Sequence, residues 1–364
     1  MTEERPVFYV VIIAGGRGER FWPRSIRSMP KQFHTIVSDK TMIQETYGRI
    51  TPEIAGENIF FVLGPSLKGL LMEQLPMVPE SSVIVEPEGR NTAPAIGLAT
   101  AHIHKRDPDA VIAVLSADHV IRPRDVFLDA LGNAARIAEE GSVVLFGITP
   151  DRPATGFGYV ELGEAVSGYE YAEAFRVRSF TEKPDLRRAR VFLRKGSYVW
   201  NSGMFVFRAD RMLEAINRHM HALSGGLARI EKSIGTEDEE KITSAEFSRV
   251  EAVSIDYGVM EKIDNIICVR PDFFWDDVGS WSALGRHLPA DDGGNICSGN
   301  VVAIDSNRNI ILGGDDALIA LVGMEDTIVV REGDRILVCS RDRDQEVKEV
   351  LKKLSESSQN RKYL

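Results

Sequence analysis

The sequence predicts an α/β protein: a mixed, mostly parallel sheet, followed by a small all-β layer that resembles a short β-helix and by a terminal helix. Three observations predict it. Strand-like and helix-like segments alternate up to residue 150, an apolar run near the start ends in clustered glycines, and short strands recur at near-regular spacing beyond residue 294. Phe8–Ile13 is β-branched and apolar, Met42–Ile50 repeats at helical spacing, Ile59–Leu63 reads as a strand, Ser66–Leu75 as a helix and Ser82–Val85 as a strand. Ala93–His104 is helix-like, Ala110–Leu115 a fully apolar strand, Val126–Ala138 a helix and Ser142–Phe146 a strand. Continuous apolar strands between helices indicate a parallel sheet covered on both faces, and ligands of such sheets bind beyond the carboxyl ends of the strands.

From about residue 150 the pattern changes. Gly156–Val160 is a glycine-relieved strand, Asp185–Leu193 a basic helix, and Val199–Phe207 a strand interrupted by Asn201-Ser202-Gly203. Ser224–Arg249 is charged and helix-like, which suits a solvated face. Pro289–Gly294 is a polar joint that separates a domain over 1–288 from one over 294–364. Beyond it, strands are expected at Asn300–Ile304, Asn309–Leu312, Leu318–Val322, Thr327–Val330 and Ile336–Cys339, then a helix over Gln345–Leu354 and a polar, disordered tail.

Composition narrows the function. The chain has 364 residues, 43% hydrophobic and 27% charged, as in a globular enzyme. A net charge of −10, from 44 basic against 54 acidic residues, argues against nucleic acid or an anionic membrane as partner. Cys268, Cys297 and Cys339 are scattered, with no C-x-x-C spacing, and read as small buried hydrophobes of a reducing compartment. The start, Met1-Thr-Glu-Glu-Arg5, lacks a basic leader, and the apolar run Val7–Ala14 is too short to span a membrane, so a cytoplasmic location is expected.

The stretch Val10-Val-Ile-Ile-Ala-Gly-Gly-Arg-Gly-Glu-Arg-Phe-Trp-Pro23, followed by Met29-Pro-Lys-Gln-Phe33, organises the rest. Glycines let backbone N–H groups approach phosphate oxygens, and Arg17, Arg20, Arg24, Arg27 and Lys31 supply fixed cations. It is not a P-loop, since Gly18 is followed by Glu19-Arg20. Nor is it the dinucleotide fingerprint, whose third glycine is replaced by Phe21. An ordinary strand-to-loop connection remains open on the glycines alone. Leu115-Ser-Ala-Asp-His119 also falls at a strand end, where Asp118 is either a cap or a Mg²⁺ ligand. In Glu86-Pro-x-x-Arg90-Asn-Thr-Ala-Pro94, Asn91 or Thr92 can cap the next helix. Each of the next motifs is, on its own residues, either a turn or a site: Glu182 and Asn201, with Tyr159 and Trp200, offer the polar groups and aromatic faces that a sugar needs, and Lys183 can meet its phosphate. In Phe273–Trp281 the adjacent Asp276 and Asp277 are either a turn or a carboxylate site.

Gly-Gly-x-Gly-x-Arg-x-x-Pro with Pro-Lys-Gln-Phe resembles the nucleotidyltransferases that activate sugar 1-phosphates, and Trp22-Pro23 with Pro30–Phe33 looks like their mannose-1-phosphate guanylyltransferase branch. Leu-Ser-Ala-Asp-His is similar to the family's Leu-Pro-Ala-Asp-His, with Ser in place of Pro ahead of the acid. Six motifs in order carry the resemblance over residues 7–285. It implies a Rossmann-like catalytic domain, GTP and mannose 1-phosphate as substrates and Mg²⁺ as cofactor. It further implies that Ala14, Gly15, Gly16, Gly18, Glu86, Arg90, Asn91 and Thr92 bind the nucleotide. Gly158, Tyr159, Glu182, Lys183, Asn201, Glu261 and Lys262 would bind the sugar phosphate, with Asp256 beside them; Arg20, Lys31, Asp118 and Asp277 would be catalytic, the two acids holding the metal. The tail domain would pack or form a homodimer, and the chain is too short for the fused isomerase domain of some relatives. The rival readings are a nucleotidyltransferase for another sugar 1-phosphate and a regulatory protein that only binds nucleotide-sugar. A metal-dependent glycosyltransferase is disfavoured, since its Asp-x-Asp is absent where Ser116-Ala-Asp-His119 stands.

Overall fold

The computed structural model describes residues 8–51, 53–167 and 173–364; the leader reading at Met1–Arg5 and the first residue of the Val7–Ala14 run lie outside them. In chain order the elements are β1 (Phe8–Ile13), α1 (Met42–Ile50), β2 (Ile59–Leu63), α2 (Lys68–Gln74), β3 (Val83–Val85), α3 (Thr92–Arg106), β4 (Val111–Ser116), β5 (Val120–Arg122), α4 (Arg124–Glu139) and β6 (Val143–Ile148). Next come β7 (Tyr159–Val166), β8 (Glu173–Thr181), α5 (Leu186–Lys195), β9 (Tyr198–Arg208), α6 (Ala209–His219), α7 (His221–Ser233), α8 (Glu239–Phe247), β10 (Ile266–Arg270) and β11 (Phe274–Asp276). The last stretch holds β12 (Ile296–Ser298), β13 (Asn300–Ile304), β14 (Ile310–Leu312), β15 (Leu318–Val322), β16 (Thr327–Glu332), β17 (Arg335–Ser340) and α9 (Val347–Glu356).

Contacts divide the chain into two compact units. One comprises Met1–Gly15, Tyr47–Ala117 and Ile121–Trp275; the other Gly16–Thr46, Asp118–Val120 and Asp276–Leu364. The first carries a mixed nine-stranded sheet in the order β3-β2-β1-β4-β9-β6-β10-β8-β7. Pairing is parallel from β3 to β4, and β9 then inserts antiparallel between β4 and β6. Side chains alternate across β1: Tyr9 and Val11 join a cluster with Leu98 and Ile103 of α3, Ile216 of α6 and Leu227 of α7. Val10 and Ile12 are equally buried toward the opposite face. The strands are buried on both sides, hence their unbroken apolar runs.

Four expectations change in this unit. The strand expected over Gly156–Val160 begins only at Tyr159, and Gly158 precedes it in a loop where Glu182 Oε2 takes the space of a side chain. Ser66–Leu75 becomes a 3-10 turn, Pro65–Leu67, followed by α2, because Pro65 can open a helix but cannot sit inside one. β9 runs unbroken through Asn201-Ser-Gly: Gly203 takes φ 73°, its N–H bonds to Asn201 Oδ1 at 3.1 Å, and the register slips between Leu145 and Gly147 of β6. Ser224–Arg249 is helical but not only a solvated face, since Leu227, Ile230 and Phe247 are buried in the main core.

In the second unit, β12, β14 and β16 stack in parallel, as do β13 and β15, and β17 closes antiparallel on β16. Two side chains, Asn295 and Asn309, hold one corner in a ladder. Asn309 Nδ2 donates to Asn295 Oδ1 at 3.0 Å and to Met324 O at 2.9 Å, and Thr327 N donates to Asn309 Oδ1 at 2.9 Å. The core of the unit joins Phe21 and Trp22 with Val278, Trp281, Ile310, Ile328 and Val347. Trp281 Nε1 donates to Trp22 O at 3.0 Å, so the Trp-Pro and Gly-Ser-Trp motifs meet in one core. The tail is ordered against it: Trp22 Nε1 donates to Tyr363 O at 3.0 Å. Of the cysteines expected to be buried, Cys297 is exposed and Cys339 half-buried, because the strand alternation that turns Ile296 inward turns Cys297 outward.

Candidate active site

The glycine loop starts where β1 ends. Ala14 N bonds Val62 O at 2.8 Å and Ala117 N bonds Ile13 O at 3.1 Å, so Gly15, Ala117 and Glu86 all sit at carboxyl ends of neighbouring parallel strands. A Cβ on Gly15 would stand 2.5 Å from Glu86 Oε1, so no other residue fits there while Glu86 keeps its place. Glu86 is 5% exposed, and burial pushes its carboxyl up to about 7. Asn91, at φ 70°, caps α3 by accepting from Thr92 N at 2.8 Å. Thr92 Oγ1 accepts from Ile255 N at 2.9 Å, which ties the start of α3 to the segment that carries Asp256. Arg90 donates to Glu88 Oε1 at 2.6 Å, while its Nε is buried with no hydrogen-bond partner among the described residues.

In the same unit a second group gathers on β7, β9 and the turns after β8 and α8. Asn201 N donates to Gly158 O at 2.8 Å, and its Nδ2 to Asp256 Oδ1 at 2.9 Å. Glu182 Oε2 fills the space beside the Gly158 Cα that a Cβ would need. Lys183, at φ 44°, donates to Glu182 Oε1 at 2.6 Å, and Glu182 N donates to Glu261 Oε1 at 3.1 Å. Burial, then the nearby Glu182, pushes the Asp256 carboxyl up to about 6. Burial alone would lower Lys183; its bond to the Glu182 carboxylate outweighs that and raises the ammonium. Tyr159 and Trp200 do not offer open faces. Tyr159 is fully buried against Phe192 with ring centroids 5.4 Å apart, and Trp200 packs edge-on to Phe157 under the Arg152 guanidinium. Lys262 is exposed past the turn.

The other unit holds the rest of the loop. Gly18 sits at φ 58°, and a Cβ there would be 2.5 Å from Lys31 Cβ. Gln32 Nε2 donates to Gly16 O at 3.1 Å and Ser25 Oγ to Arg17 O at 2.9 Å, which explains the fixed offset of Pro-Lys-Gln-Phe. Lys31 is 3% exposed, and its ammonium reaches Asp118 Oδ2 at 2.7 Å, Asp277 O at 2.8 Å and Val278 O at 3.0 Å. An ammonium has three donors, so all of them bind protein oxygens. Arg20 stays half-buried on the 3-10 turn Glu19–Phe21.

Asp276 and Asp277 diverge. Asp276 accepts from Val278 N and Arg286 Nη2 at 2.8 Å each, from Arg286 Nε, and from His287 Nε2 at 2.9 Å. Burial would raise its carboxyl, but the Arg286 and His287 bonds outweigh that and hold it well below the usual carboxylate range. Asp277 is raised by burial, with Lys31 opposing and Asp276 and Asp118 adding to the shift. Its Oδ2 lies 2.7 Å from where a Gly279 Cβ would be. Between them Val278 is fully buried at φ 43°, a conformation that costs a β-branched residue about 1–3 kcal/mol. Arg286 and His287 carried no sequence signal, because neither stands in a motif and their partner is ten and eleven residues back, respectively.

The nucleotidyl transferase family model matches residues 9–291, and a MannoseP isomerase/GMP-like beta-helix domain model matches residues 299–354. The chain belongs to the nucleotidyl transferase family. Among this chain's relatives in that family is an Escherichia coli mannose-1-phosphate guanylyltransferase, 38% identical over 95% of this chain and 74% of its own. The alginate biosynthesis protein AlgA of Pseudomonas aeruginosa is 38% identical over 94% of this chain and 71% of its own. A Thermus thermophilus crystal structure described as a mannose-1-phosphate geranyltransferase superposes with a TM-score of 0.84 at 33% identity, covering 96% of this chain and 99% of that one. The chain spans about three quarters of the length of its curated relatives. Among the described residues of this nucleotidyl transferase, no helix is long and apolar enough to cross a membrane.

Proposed function

We propose that this nucleotidyl transferase moves GMP from GTP to α-D-mannose 1-phosphate, yielding GDP-mannose and pyrophosphate. The observation that carries the reading is Glu86. It is a buried carboxylate, acceptor-only when ionised, lying against Gly15 at the start of the glycine loop. The Watson–Crick edge of guanine offers two adjacent donors, N1–H and the N2 amino group, that match one carboxylate; adenine offers a single donor there. The mannose-1-phosphate guanylyltransferase relatives support the same base and sugar.

In this reading the loop amides of Gly15, Gly16 and Gly18 cradle the triphosphate, and Arg20 offsets its charge. Glu182, Asn201 and Asp256 orient the hexose hydroxyls, with Lys183 directed at its phosphate. The phosphate oxygen of the sugar attacks the α-phosphorus in line, so the residues contribute positioning and charge and form no covalent intermediate. Lys31 keeps its ammonium on Asp118 and the Asp277–Val278 carbonyls and holds the loop to the acidic turn. Nucleotidyl transferases generally use divalent metal ions, and Asp118 and Asp277 fit one. The Asp277 carboxyl is raised by burial and by its acidic neighbours, a concentration of negative charge that a cation relieves. We take the ion to be Mg²⁺, which accepts one or two carboxylates together with substrate phosphates. When bound, it would offset charge on the α-phosphate and the leaving pyrophosphate.

Within the same proposal the 1–288 stretch is the catalytic domain and 294–364 the assembly domain. Val302, Ile304, Leu318 and Val322 stand exposed on β13 and β15 and suit a second copy of the chain; a monomer by light scattering would remove this part. The three free cysteines suit the cytoplasm, and a secreted product in fractionation would refute that location. The deciding experiment is pyrophosphate release from GTP, ATP, UTP and dTTP, each with mannose, glucose and galactose 1-phosphates, with and without Mg²⁺. A dominant metal-dependent GTP–mannose signal is expected. A dominant signal in another pair discards the guanine and mannose assignments, and silence with nucleotide-sugar still bound supports a sensor.

A further inference from the structure

We infer that Asp276, Arg286 and His287 are positioning residues: they hold the Asp276–Gly279 turn and thereby aim the Asp277 carboxylate. The inference rests on the reading of Asp277 as a cation ligand. Asp276 is 4% exposed, and its two oxygens receive four donors: Val278 N, Arg286 Nε, Arg286 Nη2 and His287 Nε2. A carboxylate has about four lone-pair sites, so these donors fill Asp276 and leave nothing for a cation. The Arg286 fork fixes the plane of the carboxylate and His287 fixes its rotation, which a single donor would not do.

What Asp276 then holds is a backbone under strain. Val278 sits at φ 43°, a conformation that persists only where its surroundings over-determine it. Three anchors do so here. Its N–H is held by Asp276 at 2.8 Å, its carbonyl by Lys31 at 3.0 Å, and its side chain is fully buried in the Phe21–Trp22–Trp281 cluster. The consequence falls on the residue before it. Asp277 presents its own carbonyl to Lys31 at 2.8 Å, and its carboxylate folds over the Cα of Gly279, where a side chain would stand 2.7 Å from Oδ2. Relaxing Val278 to negative φ would swing this carboxylate away from its present direction. Arg286 and His287 thus act through Asp276 and Val278 on Asp277, without being ligands themselves.

The test compares Arg286→Lys, His287→Leu, His287→Gln and Asp277→Asn in the full chain. Each is read by kcat, by KM for GTP, by thermal midpoint, and by Mn²⁺ affinity from electron paramagnetic resonance with GTP and no sugar phosphate. For outer-shell partners of a metal ligand, losses of about 10–100-fold in metal affinity or activity are usual. Arg286→Lys and His287→Leu are expected to lose about that much in both Mn²⁺ affinity and kcat, with KM for GTP within about threefold of the parent. His287→Gln, which keeps a donor, should restore most of it. If His287→Leu fails to fold, Arg286→Lys decides, since the guanidinium is one-third exposed and Lys keeps its charge. Mn²⁺ affinity and kcat within twofold of the parent in the folded variants would overturn the inference, as would loss of thermal stability alone. Asp277→Asn separates the two layers. If it retains Mn²⁺ binding and turnover, the ligand reading fails; if it loses both while the Arg286 and His287 variants do not, only the positioning inference fails.

Discussion

Two buried carboxylates of this chain are treated in opposite ways. Asp276 is surrounded by four donors and held well below the ordinary carboxylate range, whereas Glu86 is equally buried and is raised to about 7 by burial. A buried acid with every lone pair filled fixes local geometry, and one whose burial is uncompensated stores a preference for donors that a ligand can bring. The same contrast separates Lys31, whose ammonium is wholly engaged with protein oxygens, from Lys183, whose side chain is half-exposed beside Glu182. In the proposed reading, engaged groups build the site and open ones meet the substrate.

Asp277→Asn should have the largest effect on turnover, a loss of roughly 10²–10³-fold, the scale of removing one preorganised electrostatic group. The fold should remain intact by circular dichroism, and near-normal turnover at low Mg²⁺ would place Asp277 on the engaged side of the comparison. Lys31→Met tests that side directly. It removes the ion pair to Asp118 and the donor to two carbonyls, so the chain should lose about 3 kcal/mol in chemical denaturation. An unchanged midpoint with weakened GTP use would instead make Lys31 a phosphate contact.

Glu86→Gln probes the open side. It should weaken GTP use by about 1.5–3 kcal/mol, the scale of hydrogen bonds to a charged group, while ATP changes little. Unchanged GTP kinetics would remove the guanine assignment. The acid has a pH signature whose sign follows from its raised folded value. The native state binds more protons than the unfolded one between the ordinary value of 4.5 and about 7, so stability without nucleotide should fall as pH rises through that window and then level off. The thermal midpoint of the parent relative to Glu86→Gln reports it, and a difference independent of pH would contradict the shift. The smallest effect belongs far from either acid. Asn309→Ala removes the ladder bonds to Asn295, Met324 and Thr327 and should cost about 1–3 kcal/mol without changing kcat. A fall in kcat at full stability would show that the β layer reaches the chemistry.

Periodicity and punctuation alone determined much of this protein. The strand at Phe8–Ile13, the helix at Met42–Ile50 and the β layer at Asn300–Ile304 and Leu318–Val322 stand where the sequence places them, since each is written in local apolar spacing. The glycine loop was legible too, because only glycine suits Gly15 against Glu86 and Gly18 at φ 58°. Burial and long-range pairing were not. Nothing local shows that Tyr159 and Trp200 turn into the core, or that Trp281 bonds to Trp22 across 259 residues. Nor does the sequence show which of two adjacent aspartates is filled by donors. That was decided by Arg286 and His287, brought to Asp276 by the turn after Trp281. A residue's type sets which bonds it can make, and only the folded chain determines which partners stand within about 3 Å of it.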